Sequence, residues 1–415
     1  MRISLYSVID KLIWLLTVFL FSSFLIFDTL TWGRYAFFGI SVLIVLLSAI
    51  NHNGTIHLRL QPFHIFALIF TAFVALSSLW AMNSLDTIIK ASTILQIFAC
   101  ASMLYLHYDR TGNARPLYLA VMWSGYIVVI YAILFYGMDA LLESSQDIRL
   151  GNDFANVNNI AMVAAVSCML QWNELIHKRN IWSCFMMIPA VILITATQSR
   201  KAFILLVASV VLVYVMKTLG QKGFFKKLIS LLIYMLLLFL ALRILFTLPI
   251  FSGSLERMDQ MLNFWSNEGE IDHSTILRND MMRLGMEWFQ KYPIGGIGIG
   301  NPHILAARYL NLNAYLHNNF VELLCGGGIV GFCLYYAMHV YLIISLFKYR
   351  KADHEAFSVA MIWLLLTLIM HYGMVAYYTK LQWYYLVVHF LNVSQLKRKH
   401  KEMMENAQEP APQGN

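Results

Sequence analysis

The chain is a succession of long apolar runs separated by short polar breaks. Within the runs, apolar and polar positions do not alternate, as the strands of a membrane barrel would require. A helix needs about 20 largely apolar residues to cross a bilayer. Backbone groups in lipid must also pair within their own segment. Runs near 10–28, 35–50, 62–80, 89–107, 116–137, 156–174, 181–198, 202–217, 228–249, 322–347, 355–377 and 380–396 therefore predict about twelve transmembrane helices. The expected fold is an all-α polytopic membrane helical bundle. Its parts are N-terminal transmembrane helices over 1–249, one large, partly helical loop over 250–316, C-terminal transmembrane helices over 317–396, and a disordered tail over 397–415. Ile13 to Phe27 is followed by no small-residue cleavage site, so it reads as a retained first span.

Composition agrees. Hydrophobic residues make up 59% of the chain and charged residues 13%, against about 25% charged in soluble domains. This excludes a soluble globule, and 14% aromatic residues exclude disorder. The net charge of +8 suggests no nucleic-acid partner, because the basic residues form no soluble module. They act instead as topology signals. Of the 30 Lys and Arg residues, 18 fall in alternate short connections or the termini, including Arg110, Arg115, Lys178, Arg179, Lys226 and Lys227. By the positive-inside bias that side is cytoplasmic and both termini lie there. The 250–316 loop then faces outward, where a long loop on a rigid scaffold carries specificity. The five cysteines form no metal or redox pattern and read as small core residues. Two glycosylation sequons, at Asn53 and Asn392, fall on or near the cytoplasmic side and carry no meaning there.

Three polar groups stand out against this background. Ser199-Arg200-Lys201 separates two spans on the outer side, which puts Arg200 at the membrane boundary. Arginine there is either a snorkelling side chain or an anion site, since a guanidinium fork suits phosphate oxygens. Arg278 sits on an amphipathic helix expected over about 276–290, ended by Pro293 and a Gly-x-Gly-x-Gly turn cluster. It is either a solvated helix charge or a second anion contact. Arg257 and Arg283 are secondary cations. His317-Asn318 heads the next helix. A lone histidine is more often structural, but it can also accept a proton near neutral pH. Glu322, five residues on, lies inside the membrane boundary, where a carboxylate is either functional or locally paired. Gly326, Gly327, Gly328 and Gly331 permit close packing or a local break. Metalloprotease, Walker A and Asp-rich diphosphate motifs are absent, so no metal and no cofactor are expected.

Together these residues resemble the superfamily of O-antigen ligases and O-antigen or capsule repeat-unit polymerases, which includes protein O-oligosaccharyltransferases. The resemblance rests on Ser199-Arg200 opening a span, on Arg278 before Pro293 and Gly-x-Gly-x-Gly-Asn, and on His317-Asn318 before Gly328-Ile329-Val330-Gly331. Asn156-Val157-Asn158-Asn159 adds the family's Asn-rich start of a middle span, and the likeness is strongest over about 150–345. It implies a metal-independent, inverting glycosyltransferase of the bacterial inner membrane, acting at the outer face. The implied partners are an undecaprenyl-diphosphate-linked oligosaccharide, an acceptor glycan or glycolipid, and membrane lipids. It implies that Arg200 and Arg278 hold the diphosphate and that His317 serves the acceptor hydroxyl. Asn318, Arg283, Ser199 and Glu322 are expected around the substrate. The expected role is a surface-polysaccharide repeat-unit polymerase. Its alternatives are a ligase acting on lipid A–core and a protein O-oligosaccharyltransferase. A flippase for lipid-linked sugars is the rival of another class. It would carry more intramembrane charge than Lys90, Arg243 and Glu322.

Overall fold

A computed structural model describes residues 5–27, 30, 32–51, 59–143, 150, 153–219, 223–266 and 273–407. Sixteen α-helices follow in order among them, with no strand. They are α1 (Leu5–Ile26), α2 (Gly33–Asn51), α3 (Pro62–Leu76), α4 (Ser84–Thr111), α5 (Arg115–Tyr136), α6 (Met138–Leu142), α7 (Val157–Lys178) and α8 (Trp182–Ala196). Then come α9 (Arg200–Leu219), α10 (Phe224–Leu245), α11 (Ser252–Ser266), α12 (His273–Lys291), α13 (Pro302–Leu310), α14 (Asn319–Tyr349), α15 (His354–Gly373) and α16 (Lys380–Asn406). The protein is an all-α polytopic membrane bundle.

Eight helices, α1, α3, α4, α5, α9, α10, α14 and α15, are long and apolar enough to cross a membrane. The apolar parts of α2 and α8 are shorter. α7 and α16 stand where the other two spans were expected. They tolerate Gln171, Asn173, Gln382 and Asn392 because neighbouring helices bury these faces. α7 is central, packed on α5, α8 and α9, and α16 packs on α4, α14 and α15. α10 has the opposite character, since none of its span is buried within the protein. Such an apolar, uncovered helix suits a lipid-facing position.

Three sequence expectations are corrected. The 397–415 tail is helical through Asn406, because Arg398 bonds Asp109 and Lys399 bonds Asp353, tying the end of α16 to neighbouring helix ends. Its last residues, 408–415, lie outside the described residues, as do Asn53 and its sequon. Only Cys100, Cys168 and Cys325 are buried; Cys184 and Cys333 point outward from their apolar helices. Finally, α14 is not one straight span. At Gly328 its backbone leaves the helical region (φ 59°, ψ −165°). A Cβ there would come 2.2 Å from the Ile294 carbonyl oxygen. The glycine thus serves both the left-handed conformation and the close approach. The turn after α12 docks at this break: Ile329 and Val330 amides donate to the Pro293 and Ile294 carbonyls, and the Ile297 amide to that of Cys325. The glycine run is a structural turn, as its setting in the sequence suggested.

Candidate functional site

A cavity of about 530 Å³ opens where α9 begins and α15 ends, roofed by α11 and α12. Arg200, Lys201, Arg257, Arg278 and His317 line its polar side. Ile204, Leu205, Met261, Phe264, Ile369 and Met370 are among its apolar residues. No Asp or Glu lies among the described lining residues.

Each cation arrives by a different route. Arg200 is the first residue of α9, after a tight turn from α8 in which Gln198 has φ 51°. Its side chain is buried. Its Nη1 donates to the Arg257 carbonyl at 3.1 Å and to Thr275 Oγ1 at 3.1 Å, and its Nη2 to Ser274 Oγ at 3.4 Å. Arg200 therefore also fastens α11 and α12 to the membrane helices. Ser199 Oγ donates to Asn158 Oδ1 at 3.1 Å, which brings the Asn-rich start of α7 to the cavity wall. Lys201 Nζ donates to the Gly373 carbonyl, joining α9 to the end of α15. Arg278 projects from α12, one turn before Met282.

His317 lies in the turn before α14 with φ 56°, a conformation that costs a non-glycine residue about 1–3 kcal/mol. Gln198 and His317 are two of only four described non-glycine residues with positive φ, and both line the cavity. The Tyr315 ring packs against the imidazole, centroids 4.3 Å apart. Burial first, then the charges of Arg278 and Lys201, lower the His317 pKa from 6.5 to about 4. The ring is therefore neutral at pH 7, with a nitrogen lone pair able to accept a proton.

The remaining candidates divide. Asn318 caps α14, its Oδ1 accepting from the Phe320 amide at 2.9 Å and the Val321 amide at 3.1 Å, while its Nδ2 reaches Met282 Sδ at 3.3 Å. Its side chain is engaged in holding the helix start. Glu322 is buried and accepts from the Leu316 amide at 2.8 Å, and it is not among the lining residues. Arg283 is well exposed, 3.6 Å from Asp280 and 3.9 Å from Glu287 on its own helix, and does not line the cavity either. It stands five residues beyond Arg278, on another side of α12. Lys201 and Asn158 belong to the cavity but were not singled out as site residues from the sequence. Their signal was adjacency, Lys201 to Arg200 and Asn158 within the Asn-rich motif. Among the described residues no group of three His, Cys, Asp or Glu could hold a metal ion.

Residues 184–336 match the family model described as O-antigen ligase. This stretch is similar to O-antigen ligase domains. Arg200, Arg278 and His317 all fall within the matched stretch, which bears out the resemblance to the ligase and repeat-unit polymerase superfamily. The match covers somewhat over a third of the chain and includes α9 to α13 and the break in α14. No curated protein matches the chain. O-antigen ligase domains belong to glycosyltransferase-like membrane enzymes, whose general partners are a lipid-linked polysaccharide and a glycan acceptor.

Proposed function

We propose that this O-antigen ligase-family protein transfers an oligosaccharide from undecaprenyl diphosphate to a second lipid-linked repeat unit, as a surface-polysaccharide polymerase of the bacterial inner membrane. The observation that carries the reading is the cavity's charge: four cations and no described carboxylate, beside an apolar wall. Such a lining suits a lipid diphosphate, with guanidinium groups taking phosphate oxygens and apolar residues the first prenyl units. Ile369 and Tyr372, both on the lining and both well exposed, would lie along the prenyl chain's exit.

The reaction follows from these groups. The acceptor hydroxyl attacks the anomeric carbon from the side opposite the diphosphate, which inverts that centre. The C–O bond to the diphosphate breaks, and its electron pair goes to the diphosphate oxygen. Arg278 and Arg200, with Lys201 and Arg257, stabilise the charge that develops there, a role a divalent cation plays in other transferases. The hydroxyl proton passes to neutral His317. Bound diphosphate also offsets the field of Arg278 and Lys201, so His317 becomes a stronger base once the donor is in place. Asn158 forms part of the wall with Ser199 holding it, Asn318 caps the helix behind His317, and Arg283 attracts anionic donor from outside.

A ligase is the second reading, favoured by the description of the matching family. One experiment decides. Purified protein in proteoliposomes is given undecaprenyl-diphosphate oligosaccharide alone, or with lipid A–core. Chain growth on the donor alone supports the polymerase. Product only with lipid A–core supports the ligase. No transfer to either overturns both.

A further inference from the structure

The proposed mechanism leaves unused two ionisable residues deep among the helices, Lys90 and Glu322, and the Gly-x-Gly-x-Gly-Asn run. All of these meet behind His317. Glu322 is 3% exposed, and its Oε2 accepts from the Leu316 backbone amide at 2.8 Å, one residue before His317. Lys90, on α4, interacts electrostatically with Glu322 and holds its ammonium 3.5 Å above the Tyr378 ring. The stem of Lys90 runs past Gly300, where a Cβ would stand 3.3–3.4 Å from three of its carbons. Gly300 itself has φ +87°, so only glycine fits the turn and leaves room for the lysine. Asn301 then fixes this turn to the start of α4, its Nδ2 donating to Thr87 Oγ1 at 2.8 Å.

On the other side, Asn319 is fully buried. It donates to the Tyr336 hydroxyl at 2.9 Å and accepts from the amides of Ala376 at 2.7 Å and Tyr377 at 3.1 Å. The turn Leu316–Asn318 is thus held from below by the Glu322 carboxylate and from beyond by an amide. Neither device touches the cavity. A strained turn persists only where its surroundings over-determine it. A carboxylate buried among apolar helices is otherwise costly. Both features make sense if the carboxylate exists to hold the turn.

We infer that Glu322, with Asn319 bracing the helix start, is a positioning residue that aims His317 into the cavity. The inference deepens the proposed role of His317 and rests on it for its catalytic consequence, but not for its structural one. Glu322→Ala removes the acceptor for Leu316, whereas Glu322→Gln keeps an acceptor oxygen and removes only the charge. Misplacement of a reacting group by about 1 Å can cost about 10²-fold in rate.

Two readouts test it. The first is amide hydrogen exchange of the segment 311–318 in the full-length protein in nanodiscs. Exchange should rise in Glu322→Ala and stay near wild type in Glu322→Gln. Gly300→Ala, which displaces Lys90, should raise it less than Glu322→Ala. The second is transfer kinetics beside binding of undecaprenyl diphosphate. Glu322→Ala should lower kcat by about 10²-fold with the KM for donor and the diphosphate affinity within twofold, and Glu322→Gln should restore most of it. The double variant His317→Ala/Glu322→Ala should be no slower than His317→Ala, since residues acting as one unit are not additive. Unchanged exchange in Glu322→Ala overturns the inference whatever the kinetics. A parallel loss of diphosphate binding, or additive losses in the double variant, overturns it as well. Raised exchange together with normal transfer in His317→Ala would overturn the base role of His317 and leave the positioning of the turn standing.

Discussion

Asn319 and Tyr336 lie 17 residues apart along α14, yet the Asn319 amide donates to the Tyr336 hydroxyl at 2.9 Å. On a straight helix they would be about 25 Å apart. The Phe320 and Tyr336 rings also stack, with centroids 4.9 Å apart. The first nine residues of α14 therefore fold back along the helix that follows, with Gly328 at the apex. This hairpin sets His317 beside the start of α9 and the end of α15.

The hairpin predicts an unequal response to two neighbouring substitutions. In Gly328→Ala the new methyl meets the Ile294 carbonyl and the Gly295 amide nitrogen, both backbone, at a positive φ. In Gly331→Ala it meets the edge of the Phe73 ring at 2.7 Å, a side chain that can swing. Gly328→Ala is expected to destabilise by about 1–3 kcal/mol or more and to lower transfer with it. Gly331→Ala should cost less. Thermal unfolding in detergent, read beside transfer activity, checks the order; equal melting temperatures for the two variants would refute the hairpin's dependence on Gly328.

For donor binding, both Arg278 and Arg200 should matter. Arg200 holds Ser274, Thr275 and the Arg257 carbonyl as well as facing the cavity. Its replacement by Ala should lower both stability and donor affinity, and Lys should rescue neither fully, because an ammonium cannot span those acceptors. Arg278→Ala should weaken undecaprenyl-diphosphate binding. Arg283→Ala should change binding by less than twofold at moderate salt, since its exposed charge is screened. Tryptophan-fluorescence titration with undecaprenyl diphosphate measures all three. Normal affinity in Arg278→Ala removes the diphosphate role.

Much of this was legible in the sequence because lipid imposes a severe rule on it. Every expected span falls on helix, the 322–347 one broken at Gly328, and α12 appears within a few residues of its predicted bounds, because apolar period and length are local signals. Arg200, Arg278 and His317 were legible as exceptions to an apolar background. Their convergence on one cavity was not, since it depends on α11, whose amphipathic pattern went unread, and on Arg200 tying that helix down. The partners of Glu322 were also hidden. Its Leu316 contact spans six residues, but its lysine comes from α4, more than two hundred positions earlier. Arg283 is the opposite case: a charge five residues beyond Arg278 that the helical period turns away from the cavity.

The orientation inferred from basic residues has a direct test. Asp259, on α11, belongs to the side proposed to face outward, and exposed Phe225, at the start of α10, to the cytoplasmic side. In a cysteine-less background, Asp259→Cys should react with a membrane-impermeant maleimide on intact spheroplasts, and Phe225→Cys only after lysis. Reaction of both before lysis would place the cavity and the basic connections on one side and defeat the outer-face assignment.

The pH dependence of transfer should report His317. Its pKa is lowered from 6.5 to about 4 by burial and by the charges of Arg278 and Lys201. The neutral ring is the active form, so kcat/KM, which reads the free enzyme, should hold steady down to about pH 5 and fall as pH drops through about 4. Bound diphosphate offsets the two cations, so the acid limb of kcat should lie at higher pH than that of kcat/KM. Arg278→Ala removes one of the lowering charges and should move the limb of kcat/KM upward as well. Stability has the same sign. The unfolded chain binds this proton more tightly than the folded one, so folding weakens as pH falls below 6.5, and the effect levels off below about 4. His317→Ala should abolish that part of the pH dependence. It should also lower transfer by about 10²–10⁴-fold while undecaprenyl-diphosphate binding is kept. A kcat/KM limb near 6.5 in the wild type, or one unmoved by Arg278→Ala, would mean that the titrating group is not an imidazole held between these two cations.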